Sequence, residues 1–226
     1  MKRIAAISVV ILSLIVIAGI VIQLGVVKNH KTLDEIITAA GKFVRDEHEL
    51  FISGLDYTVE VPGEKVVLWV NGLPISNNEL QTRLSLHKAS GTGTQTIEEI
   101  EKILVEEKVI QSEAAKLGLT PTDEEINAFI SQEKETAKND PEYKAGVEKI
   151  IAAWGLSEDE YWNVYERYNV YRILAADKLS RHLLKDYYSK NKITPADEKQ
   201  AKEKWDEFIA EKVAKAEVKV NPKFRR

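Results

Sequence analysis

Val66-Val67-Leu68-Trp69-Val70-Asn71-Gly72-Leu73-Pro74-Ile75-Ser76-Asn77-Asn78-Glu79-Leu80 is the stretch at which the chain changes from a β-favouring pattern to a helical one. Residues 66–70 form a dense β-favouring run, and Asn71-Gly72 suits a tight turn at its end. Ser76 and Glu79 then pair a hydroxyl with a carboxylate three residues on, an arrangement that satisfies orphan backbone donors at a helix start. One strand, one turn and one capped helix are therefore expected, with helices beyond.

The same start signal recurs at Thr96-x-x-Glu99, Thr122-x-x-Glu125 and Ser157-x-x-Glu160, each cap worth roughly 1 kcal/mol. The helices predicted from these starts run over 77–88 and 97–117, the second carrying Ile100, Ile103, Leu104, Val109 and Ile110 inward and ending at Gly118. A third begins near Asp123, turns Ile126, Phe129 and Ile130 inward, and fades into Lys138-Asn139-Asp140-Pro141. A short helix over 142–154 ends at Gly155, and the longest runs over 158–188. Thr194-Pro195-Ala196-Asp197 opens a final helix with Trp205, Phe208, Ile209 and Val213, after which residues 216–220 alternate like a strand. Pairing that strand with residues 66–70 gives a mostly α fold with a small two-stranded β element joining its ends.

Upstream, Thr32-x-x-Glu35 caps an amphipathic helix whose apolar residues run from Leu33 to Phe51, and residues 53–64 read as a linker around a short β-favouring run at 57–61. Before it, Lys2 and Arg3 precede an uncharged stretch over residues 4–27. As a helix it would be about 36 Å long, enough to cross a hydrocarbon core of about 30 Å. Its apolar residues continue past the length of a cleaved leader's core, so an uncleaved transmembrane anchor is expected, with the N-terminus cytoplasmic and the rest outside. The expected organisation is an anchor over 1–30, a juxtamembrane amphipathic helix and linker over 31–64, one helical domain over 65–221, and a basic tail over 222–226.

The chain has 226 residues, 30% charged and 44% hydrophobic, an ordinary globular balance, and no cysteine, which excludes disulfides, thiolate nucleophiles and cysteine metal sites. Setting aside Lys2 and Arg3, 30 basic residues stand against 36 acidic ones, a net charge of −6 with no basic stripe for nucleic acid. His30, His48, His87 and His182 fall on separate elements, and Asp46-Glu47-His48-Glu49 points in several directions on a helix, so no metal site is expected. No nucleophile elbow or phosphate-cradling loop appears, and neither catalytic residues nor a cofactor are expected. The long helix carries Tyr161, Trp162, Tyr165, Tyr168 and Tyr171 at mostly three- and four-residue spacing, with Trp154 just upstream. Such a stripe is commonly core, yet tyrosine tips also suit a half-wet groove for varied peptides. Trp154, Tyr161, Trp162, Tyr165 and Tyr168 are the candidate peptide-binding residues.

Trp69-Val70-Asn71-Gly72-Leu73-Pro74-Ile75-Ser76-Asn77-Asn78-Glu79-Leu80 resembles the opening of the chaperone domain of bacterial SurA and PrsA foldases. Residues 104–119, the start Thr122-Asp123-Glu124-Glu125-Ile126 and the start Gly155-Leu156-Ser157-Glu158-Asp159-Glu160-Tyr161-Trp162 are similar to later motifs of that domain, in the same order. The resemblance spans roughly residues 66–220. It implies a helical cradle, completed by a returning C-terminal helix and strand, that holds unfolded or partly folded exported polypeptides at the outer face of a bacterial cytoplasmic membrane. In that family a parvulin prolyl isomerase domain usually follows the long helix. Here 16 residues separate Tyr188 from Trp205, too few for one, so the resemblance implies binding without isomerase catalysis. The alternative is an accessory protein of an envelope or spore assembly, with the same domain bound to one dedicated partner.

Overall fold

The computed structural model describes residues 32–91, 96–190 and 193–224. In chain order the elements are α1 (Leu33–Asp46), α2 (His48–Leu55), β1 (Val66–Val70), β2 (Leu73–Ser76), α3 (Asn77–Ser90), α4 (Ile97–Lys116), α5 (Asp123–Asn139), α6 (Pro141–Trp154), α7 (Arg167–Leu183), α8 (Lys185–Tyr188), α9 (Pro195–Ala214) and β3 (Val218–Val220). A single turn, Glu158–Glu160, and a π-helical segment, Tyr161–Glu166, lead into α7.

Asn71 and Gly72 take φ of 50° and 84°, the left-handed pair that a two-residue hairpin turn demands. The chain therefore reverses into β2, with Leu68 opposite Ile75 and Val70 opposite Leu73. β3 pairs with the other edge of β1, Leu68 opposite Val220 and Val70 opposite Val218. The sheet order is β2-β1-β3, so the expected two-stranded element is corrected to three strands. β2 escaped the sequence reading because it is short and holds Pro74, which an edge strand tolerates. Asn221 fastens the returning strand, donating from Nδ2 to the Val66 carbonyl at 2.8 Å.

Five of the helix starts close as reciprocal boxes, at Thr32–Glu35, Thr96–Glu99, Thr122–Glu125, Ser157–Glu160 and Thr194–Asp197. Ser76 differs. Its hydroxyl accepts from the Glu79 amide at 2.9 Å, but the Glu79 carboxylate turns inward to other partners.

Two apolar cores result. The larger gathers Ile37, Val44, Phe51 and Leu55 from α1 and α2 with Ile126, Ile130, Val147, Ile150 and Trp154 from α5 and α6 and with the π segment. The smaller packs β1 and β2 against Leu80 and Leu84 of α3 and Ile100, Leu104 and Val109 of α4. α3 lies between them and is covered on both sides, burying Glu79, Thr82, Arg83, His87 and Ser90 as well as its leucines.

Several expectations are corrected. The helix expected to run unbroken to Phe51 is split at Glu47, and α2 extends to Leu55 with no strand over 57–61. α1 and α2 contribute Ile37, Ala40, Val44, Phe51 and Leu55 to the larger core. The transmembrane helix expected over 4–27 lies outside the described residues. Among those described, no helix is long and apolar enough to cross a membrane, so a single-pass membrane protein with an extracytoplasmic domain is not supported.

Two glycines show how closely the N-terminal helices approach their neighbours. A Cβ on Gly54 would lie 2.6 Å from the Asn78 carbonyl oxygen and closer still to Thr82 Oγ1, and one on Gly41 would lie 2.9 Å from the Ala153 carbonyl carbon. Gly146 of α6, by contrast, faces open space. Alanine is favoured over glycine in a helix by about 1 kcal/mol, whereas overpacking a filled contact costs about 1–3 kcal/mol. Gly54→Ala is thus expected to lower stability in urea unfolding by about 2 kcal/mol, while Gly146→Ala raises it by about 0.5–1 kcal/mol. Equal shifts of one sign would refute the close approach of α2 to α3.

Candidate functional site

The five candidate peptide-binding aromatics all lie in the interior. Trp154 is 3% exposed, Tyr161 4%, Trp162 7%, Tyr165 6% and Tyr168 4%. Trp154 donates from Nε1 to the Ile37 carbonyl at 3.0 Å, and its ring meets Phe51 edge-on at 5.8 Å and Tyr165 at 5.0 Å. Tyr161 packs against Trp162 and Tyr165 at 4.9 and 5.6 Å. The groove assignment is therefore corrected: α1 and α2 close over the row, and its rings are core. Within the six residues of the π segment Tyr161, Trp162, Tyr165 and Glu166 are all buried.

Between the two cores runs a buried polar seam. Arg83 donates to Glu107 through Nη2 to Oε1 at 2.8 Å and Nη1 to Oε2 at 3.0 Å, a bidentate pair. Arg172 donates through Nη2 to the same Glu107 Oε1. Arg83 Nη1 also reaches the Tyr168 hydroxyl at 2.8 Å, and that hydroxyl donates to Glu79 Oε1 at 3.3 Å, where Lys108 Nζ arrives at 3.0 Å. Both guanidiniums lie within 6 Å of the Tyr168 ring centroid, at 5.8 and 5.3 Å. Burial alone would raise the Glu107 pKa, but the Arg172 and Arg83 guanidiniums hold it down to about 2. His87, one turn from Arg83, has no partner on either ring nitrogen, and burial together with the Arg83 charge lowers its pKa to about 4. It is neutral at pH 7. The seam therefore holds Arg83, Arg172 and Lys108 against Glu107 and Glu79, one positive charge in surplus.

A cavity of about 40 Å³ opens beside this seam. Its apolar wall is Ile36, Ala40, Leu55, Leu86 and Trp154, and its polar side is formed by Arg83, Ser90, Tyr168, Asn169 and Arg172. Two donors on that side are buried without a hydrogen bond, Arg172 Nε and Asn169 Nδ2. The Asn169 amide lies near enough to Tyr165 and Glu166 to favour their charged forms, without reaching hydrogen-bond geometry.

Farther into the larger core, Glu133 of α5 and Glu166 of the π segment face one another at 1% and 4% exposure. The Tyr143 hydroxyl acts on Glu133 as a hydrogen-bond donor, and the two carboxyls can bond one another only when one of them holds a proton. Burial, then the Glu166 charge, raises the Glu133 pKa well above the carboxylate range. Burial raises Glu166 too, partly offset by hydrogen bonding from Glu133 and by the nearby Asn169 amide dipole. The pair therefore holds one proton between its two carboxyls.

The outer face is less closed at the C-terminal end. Of the twenty residues of α9 only Ile209 is buried, and the half-buried Trp205 and Phe208 rings stack on one another at 6.4 Å. Val218 and Val220 of the edge strand are 46% and 41% exposed. Among the described residues no three His, Cys, Asp or Glu side chains are grouped so as to hold a metal ion.

The sequence reading missed the seam, the cavity and the carboxyl pair. Glu79, Arg83 and His87 recur at four-residue spacing on α3, and a capped helix without an apolar stripe is the one signal that both its faces are covered. Comparison of the chain with protein-family models, with curated proteins and with solved structures finds no match in any of the three, and its family stays undefined by them.

Proposed function

We propose that this chain is a non-catalytic polypeptide-binding protein of the SurA/PrsA chaperone type, holding unfolded or partly folded chains by shielding apolar segments. The observation that carries the reading is the incomplete burial of the C-terminal element. A helix of twenty residues that buries one side chain, and beside it in sequence an edge strand with two exposed valines, offers apolar contact at several weak points. That is the requirement for binding many partners without a fixed pocket. The motif order over residues 66–220, with the returning strand paired to β1, supports the same reading.

The client surface on this reading is Trp205 and Phe208, in place of the buried tyrosine row. The full chain is expected to suppress aggregation of an unrelated, chemically unfolded protein near stoichiometric ratios, and Trp205→Ser with Phe208→Ser is expected to abolish most of that suppression without lowering the melting temperature. No suppression at large excess rules out a general holdase. The seating of the aromatic row in the core leaves few contact points and favours, in that outcome, an accessory protein with one dedicated partner.

A further inference from the structure

The cavity beside the polar seam combines three features that packing alone does not call for. The adjoining ion cluster has one cation too many, since Lys108 answers Glu79 while Arg83 and Arg172 share Glu107 alone. Two donors on lining residues, Arg172 Nε and Asn169 Nδ2, have no acceptor among the described residues. His87 is neutral and brings no countercharge to the guanidiniums that lower its pKa, and neither of its ring nitrogens is hydrogen-bonded to them. A carboxylate would correct all of this at once, neutralising the surplus charge and accepting from the free donors. The opposite wall is apolar, so the carboxylate must carry a short hydrocarbon group. A cavity of about 40 Å³ has room for the carboxylate alone, so the hydrocarbon group lies at its mouth against the apolar rim. Of its lining, Ile36, Leu86 and Arg172 are only half buried, which places the opening between α1, the end of α3 and α7.

We infer that this cavity is a subsite for the C-terminal residue of a bound polypeptide, its free carboxylate against Arg172 and Asn169 and a small aliphatic side chain, such as that of alanine or valine, against Ile36 and Leu86. The inference rests on the polypeptide-binding reading and gives it a chemical preference: chains ending in a small apolar residue are held by their last residue, and the preceding residues leave past Ile36 and Leu86. A free short-chain monocarboxylate shares this chemistry and is the source to be separated from it.

The test follows the Nε–H resonance of Arg172 in the full chain during titration with acetyl-Ser-Ala-Val as the free acid, as its C-terminal amide, and with isobutyrate. The free acid is expected to shift that resonance saturably, with the amide at least about tenfold weaker because the charge-assisted contact is gone. Arg172→Gln should remove binding. Leu86→Trp, which fills the opening and leaves the ion cluster intact, should weaken it by at least about tenfold, with thermal melting showing that both variants are folded. Equal binding of acid and amide, no binding of either, or isobutyrate binding as tightly as the peptide would each overturn the assignment. Aggregation suppression by Leu86→Trp separates this result from the parent reading. Peptide acid binding in a wild-type chain that suppresses nothing removes the holdase and leaves the subsite, whereas suppression without acid binding removes the subsite and leaves the holdase.

Discussion

Glu107→Leu is expected to lower the stability of the fold by about 3–5 kcal/mol, the largest effect of any single change outside the apolar cores. Among the described residues the carboxylate is the only anion paired with the two guanidiniums, held by Arg83 at 2.8 and 3.0 Å and by Arg172 at Oε1 as well. Removing it strands two positive charges in a seam where the Arg83 side chain is 4% exposed. Neither arginine escapes by releasing its proton, because a guanidinium stays charged in proteins. The cost should thus belong to the uncompensated charges and not to the lost contacts themselves. The combined replacement Arg83→Met, Glu107→Leu, Arg172→Met is the discriminating control, since a whole buried ion cluster exchanged for apolar groups of similar volume is often neutral. Urea unfolding should show the triple variant recovering most of what the single variant loses. A single variant within about 1 kcal/mol of wild type would mean that the seam is hydrated and that its charges are screened.

The second large effect is a fall in stability with rising pH that depends on Glu133. A carboxyl whose folded-state pKa is raised holds its proton more tightly folded than unfolded. Its contribution is complete below the ordinary carboxylate range and is lost as the pH climbs from that range to the folded value. Glu133 is raised by burial and by Glu166, and Glu166 by burial, so the window runs from about pH 4.5 through neutrality. With one proton held in the folded state and none in the unfolded, each pH unit in the window costs about 1.4 kcal/mol. From pH 5.5 to 8 the wild-type chain should lose about 3 kcal/mol. Glu133→Gln keeps the volume, supplies a permanent donor to the Glu166 carboxylate and should flatten most of that slope. Parallel pH profiles for the two proteins would show that the pair is ionised in the fold and held by other means. Tyr143 and Tyr161 also face this pair, and burial raises Tyr161 still further from neutrality, so that ring contributes no titration in the window.

What could be read along the chain was whatever depends on neighbours a few residues apart. The five reciprocal caps, the Asn71-Gly72 turn and the strand pattern of residues 218–220 followed from local chemistry and alternation. Where a local signal had two physically sound outcomes, sequence could not choose. Tyrosines at helical spacing suit a wet groove or a core, and the choice was made by Phe51 and Ile37, more than a hundred positions away, closing over Trp154. Glu79 had the position of a capping-box carboxylate and became a partner of Lys108 and Tyr168 instead.

The site lay further from view. Arg83, Glu107 and Arg172 each sit among other charged residues on their helices, and each by itself resembles part of a solvated face. They meet because α3 is covered on both sides, so polar positions that would otherwise face water turn toward one another between two apolar cores. Sequence alone determined the kind of most helices and where they begin, because caps, turns and periodicity act over one helical turn. Which faces were buried, and hence the surplus charge, the cavity and the shared proton, was decided only by the tertiary structure, because burial and charge pairing depend on groups that the chain brings together from far apart.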